Sequence, residues 1–68
     1  MTSAALTEYN RLCEQRQLAM LRVVVAAQTA LFKLNLNDTE SARQVLERNV
    51  LSYREVDSEV GKFLEKHT

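Results

Sequence analysis

This sequence predicts an all-α fold: an antiparallel two-helix hairpin that completes a helical bundle with a second chain. Three observations carry that prediction. The 68 residues include no proline and a single glycine, Gly61, while Ala, Leu, Gln, Glu and Arg dominate, so helix propensity is high almost throughout. One cluster of helix-averse residues, Asn35, Asn37 and Asp38, falls near the midpoint, where side chains that compete for backbone hydrogen bonds favour a turn. On both sides of it, apolar residues recur at three- and four-residue spacing.

The first helix is predicted from about Ser3 to Leu34, with Thr2 or Ser3 as its N-cap. The turn occupies about residues 35–37. Asn37 followed three residues later by Glu40 has the spacing of a capping box, with Asp38 as the alternative cap; either choice puts Glu40 in the first turn of helix 2. The second helix then runs from about Asp38 to Lys66. At ~1.5 Å per residue both helices are about 45 Å long, and two rods of similar length joined by a short turn pack antiparallel. No internal repeat or low-complexity linker divides residues 1–68, which form one hairpin unit.

Turning the residues by ~100° per position shows what each helix must bury. Helix 2 has one apolar stripe, Ala42, Val45, Leu46, Tyr53, Val56, Val60, Phe63 and Leu64, with Asn49 and His67 inside it and only Leu51 out of place. The main stripe of helix 1 is Leu6, Tyr9, Leu12, Cys13, Met20, Val23, Val24, Ala27, Ala30, Leu31 and Leu34, enough to cover helix 2. A second group, Leu18, Leu21, Val25 and Phe32, lies on the far side of helix 1, beyond a narrow polar seam that includes Arg11, Arg22 and Lys33. One stripe on helix 2 does not cover both. At ~1.5–3 kcal/mol per large apolar side chain buried, leaving four exposed forgoes several kcal/mol, comparable to the whole stability of a small domain. Leu18, Leu21, Val25 and Phe32 are therefore the candidate partner-binding patch, for another copy of the chain or for a different protein in an obligate heteromer.

Two polar groups inside the stripes are candidates for setting helix alignment. With a turn near Leu36, Arg16 falls level with Asp57 and Tyr53, and Asn49 falls opposite Val24. Buried polar groups in helical seams characteristically specify register, as in coiled coils.

Chemistry is constrained by inventory. Cys13 and His67 are the only residues of their types, so no intrachain disulfide and no four-ligand Cys/His zinc site can form, and an intracellular, cytoplasmic setting is expected. Cys13 reads as a small buried hydrophobe, and no third residue orients a Cys13–His67 pair, so an enzyme is not predicted and no cofactor is implied. Glu55 and Glu59 stand four apart but lack the Glu-x-x-His pattern of di-iron bundles, so no metal site is assigned. The opening MTSAALTEYNR lacks the basic and apolar regions of a secretory signal. The longest unbroken apolar run, Val23 to Ala27, falls short of the ~20 residues of a membrane span.

Nine acids balance nine bases, but residues 1–36 sum to +2 and residues 37–68 to −2. Arg11, Arg22 and Lys33 recur every eleven residues along the seam, and a homodimer doubling that line is the alternative reading, a four-helix bundle that binds RNA. Zero net charge and the lack of a base-stacking aromatic pattern argue against nucleic acid. In size and plan the hairpin is similar to two kinds of small helical protein, the Rop-type RNA-binding proteins that dimerise into four-helix bundles and the hairpin co-chaperones of bacterial type III secretion. The likeness lies in the plan alone and carries no residue over. The leading expectation is a non-catalytic adaptor or co-chaperone subunit that offers an apolar face of helix 1 to a partner helix or groove.

Overall fold

A computed structural model describes residues 1–67 as two helices, α1 (Ser3–Asn35) and α2 (Thr39–His67). They pack as a hairpin with extents of 51 × 15 × 10 Å, so it is one helix pair wide and one helix thick.

Both ends of α1 and the start of α2 are closed by identifiable groups. Thr2 has extended backbone, and its Oγ1 accepts the Ala5 amide at 3.1 Å, capping α1. At the far end Asn37 adopts φ 62°, its N–H donates to the Leu34 carbonyl at 2.9 Å, and the Asp38 N–H donates to the Lys33 carbonyl at 2.8 Å. Those two bonds around a left-handed residue are a Schellman ending. Asn37 is thereby used to stop α1 and does not cap α2. Asp38 takes that role, its Oδ1 accepting the Ser41 amide at 3.2 Å. The capping box is not formed, because the Glu40 carboxylate turns forward to Arg43 and Gln44. Lys33 ends α1, Glu40 starts α2 and Lys66 ends it, each placed favourably for the helix dipole.

The contact between the helices follows a seven-residue repeat. Ala5, Leu12, Ala19 and Ala26 form one buried row of α1, and Tyr9, Arg16, Val23 and Ala30 form the row beside it. On α2, Ala42 and Val60 are buried, with Leu46, Asn49, Tyr53, Val56 and Phe63 half-buried between and beside them. This corrects the stripe expected for α1. Ala19 and Ala26 face α2, whereas Leu6, Met20, Val24, Leu31 and Leu34 remain exposed. The cause is steric: alanines let two backbones approach closely, and a narrow seam of small residues leaves larger neighbours outside it. Val60 is the one bulky side chain fully enclosed among the described residues. The hairpin's own core is thin.

Candidate functional site

Leu18, Leu21 and Val25 lie along one flank of α1 and line a single groove. Arg22, Ala26 and Thr29 complete the α1 wall, and Val45 and Asn49 of α2 supply the other. The groove encloses about 370 Å³ and opens to solvent. Phe32, seven residues beyond Val25, is 64 % exposed on the same flank but does not line the groove. Three of the four expected patch residues are thus brought together, with Phe32 at the turn end. Val45 and Asn49 were not singled out for this surface, since which edge of α2 faces it depends on how the helices rotate against each other. Val45 also borders a larger and more polar depression of about 890 Å³, where Lys33 stands across from Ser41, Gln44 and Arg48, and where Leu51 is exposed.

On the opposite side of the hairpin Arg16 meets Asp57, Nη1 donating to Oδ1 at 3.3 Å. The Arg16 and Asp57 side chains are 37 % and 52 % exposed, so the pair sits at the solvent edge of the seam. The hydrogen bond that Arg16 donates to Asp57 raises the Arg16 pKa further. Asn49 behaves differently from the expectation of a cross-helix partner near Val24. Its Nδ2 donates to the Val45 carbonyl of its own helix at 2.8 Å, which satisfies the amide locally.

The basic line is not a free row of cations. Arg11 Nε donates to Glu8 Oε2 at 2.9 Å and its Nη2 engages Oε1, an in-helix pair that lowers the Glu8 pKa and raises that of Arg11. Lys33 is half-buried at the edge of the polar depression, and Arg22 forms part of the apolar groove. The three side chains therefore have three different settings.

The open end of the hairpin carries an aromatic stack. Tyr9 and Phe63 lie 6.2 Å apart between ring centroids, and Phe63 and His67 lie 4.2 Å apart. His67 thus packs as an aromatic surface. Cys13 is half-buried, where full burial was expected, and its thiol beside the Tyr9 phenol raises the Tyr9 pKa. Among the described residues no group of three His, Cys, Asp or Glu side chains converges as a metal site.

α1 contains an 18-residue window of mean hydropathy 1.3, which by length and composition reaches the range of a membrane span, although 17 % of that window is buried in the hairpin. The unbroken run Val23 to Ala27 understates this, because apolar residues on both sides of Arg22 and Gln28 hold the average up in spite of them. Compared with known protein families, curated proteins and solved structures, the chain matches none.

Proposed function

We propose that this chain is a non-catalytic interaction subunit, an adaptor or co-chaperone, that receives a helix of a partner protein in the groove of Leu18, Leu21 and Val25. The observation that supports this reading is the groove itself. An apolar floor on α1, a wall from α2 and the exposed Phe32 beyond it suit the way an amphipathic helix lays large side chains into a groove. Arg22 at the rim and the Asn49 side chain on the far wall supply polar edges, the usual arrangement around an apolar contact. Leu18, Val25 and Phe32 repeat every seven residues, so a partner helix that follows the groove meets large apolar side chains every second turn.

The test is quantitative affinity capture with the tagged chain, followed by titration of the purified partner. Wild type is expected to hold one helical protein at stoichiometric yield, and Leu21→Glu and Val25→Glu are expected to lose it while keeping their helical circular dichroism. Equal retention by both variants sinks the groove as the site. Retention of phospholipid vesicles in place of a protein transfers the same residues to a membrane surface and sinks the adaptor reading.

A further inference from the structure

The hairpin has a second open side, marked by the Arg16–Asp57 pair and facing away from the groove. We infer that a second copy of this chain docks there, so that two hairpins close into one four-helix bundle. This goes beyond the groove's partner and rests on separate residues.

The first support is area. A folded monomer of 7.8 kDa exposes about 4,400 Å². This hairpin exposes 5190 Å², about 800 Å² more, which is what one partner loses in an interface of standard size. The thin core points the same way, since chains of this length need a staple, and a second copy is one.

The second support is an apolar face long enough to supply that area. Leu6, Met20, Val24, Leu31 and Leu34 are the large residues that the alanine seam leaves outside, and they run nearly the full length of α1. Half-buried Cys13 and Ala27 join them to the hairpin's core. The face continues onto α2 through half-buried Val50 and Leu64, each seven residues from Asp57 and so on its row.

The third support is charge, and it selects the occupant. Over about a third of the circumference of α1, centred on Leu6, Val24 and Leu31, helical periodicity places no Asp, Glu, Lys or Arg, and the polar residues along its outer edge are the amides Asn10, Gln17, Gln28 and Asn35. A two-fold interface sets each patch against its own copy, so a patch of one sign repels itself and a neutral one does not. The charged pair at its edge, Arg16 with Asp57, is closed within one chain. The groove flank differs, with Glu14 and Arg22 standing among Leu18, Leu21 and Val25.

The experiment is light scattering across a range of concentrations with circular dichroism on the same samples. Wild type is expected at about twice 7.8 kDa, Val24→Glu and Leu31→Glu at the single-chain mass with helix retained, and Leu18→Glu still dimeric. A single-chain mass for wild type at every concentration overturns the inference, as does a dimer that survives both face variants or one lost in Leu18→Glu. If the glutamate variants lose their helices, Leu31→Ala is the deciding variant: dimerisation weakened about tenfold supports the inference, and an unchanged dissociation constant overturns it. Groove binding in a monomeric chain, or a dimer with no groove partner, separates failure of one proposal from failure of the other.

Discussion

Arg16 and Asp57, 41 residues apart in sequence, form the one ion pair among the described residues that joins α1 to α2. Every other ion pair lies within a single helix, three or four residues apart. Together with the Tyr9–Phe63 stack it sets one consistent alignment of the two helices along the hairpin. Both charges are solvent-accessible, so screening by water and salt limits what the pair contributes to stability. Its expected effect is therefore on alignment. In a double-mutant cycle, Arg16→Ala and Asp57→Ala should each lower Tm by no more than a few degrees, with the pair non-additive. Additive losses in thermal melts would mean that Arg16 merely extends along the seam with its charge in water.

The turn makes a sharper prediction, because a backbone conformation decides it. Asn37 sits at φ 62°, a region that costs an ordinary side chain about 1–2 kcal/mol, that asparagine tolerates better, and that glycine enters freely. Asn37→Val should destabilise the hairpin by roughly that amount, and Asn37→Gly should leave it within about half a kcal/mol of wild type. Asp38→Ala removes the acceptor for the Ser41 amide and should cost about 1 kcal/mol. Urea denaturation of the three variants ranks them directly. Equal stability of Asn37→Val and Asn37→Gly would contradict the Schellman ending.

How far the sequence carries depends on which physical effect decides each feature. The helices and turn were legible because Asn35, Asn37 and Asp38 interrupt an otherwise helix-favouring chain, and capping is local chemistry. Which of Asn37 and Asp38 caps α2 was not, since the left-handed residue is chosen by how α1 ends. The face of α1 was misjudged at Ala19 and Ala26 because periodicity weighted by hydrophobicity favours large side chains, whereas the closest helix contact selects small ones. Leu18, Leu21 and Val25 were legible as a group by spacing alone. Their neighbours Val45 and Asn49 belong to the other helix, and only the rotation of α2 brings them alongside.

Acid should loosen the in-helix pairs in a predictable direction. The Arg11 hydrogen bond holds Glu8, and the Arg43 hydrogen bond holds Glu40, below the ordinary value of 4.5. A carboxylate with its pKa depressed in the fold contributes stability that is fully present above the unfolded value and disappears as pH falls through the folded one. The loss therefore begins near 4.5 and continues below it. Because both groups are at the surface the change is small and shrinks in salt. Melting curves at about pH 7 and about pH 3 should show a smaller pH-dependent drop for the Glu8→Gln, Glu40→Gln double variant than for wild type. An identical drop would mean that these pairs do not form in solution.

The alanine seam predicts that two substitutions rank in the reverse of the order that sequence hydrophobicity alone would give them. Ala19 is buried in the contact row and lines neither the groove nor the polar depression, so Ala19→Leu adds apolar surface but has no space to fill, and the helices must separate to admit it. Overpacking of this kind costs about 1–3 kcal/mol. Leu31→Ala removes apolar surface from a residue that is 63 % exposed, and within one hairpin it should change stability by less than about half a kcal/mol. Val60→Ala is the internal reference, because truncating a fully enclosed side chain leaves a cavity and should cost about 2 kcal/mol. Denaturation is best followed at several protein concentrations, since burial of Leu31 against a second copy would make its alanine variant less stable as dimer dissociation contributes. A destabilisation by Ala19→Leu alongside a concentration-dependent loss in Leu31→Ala is the joint result expected. A stabilising Ala19→Leu would mean that the helices do not approach through their alanines, and the exposed positions of Met20, Val24 and Leu31 would lose their explanation.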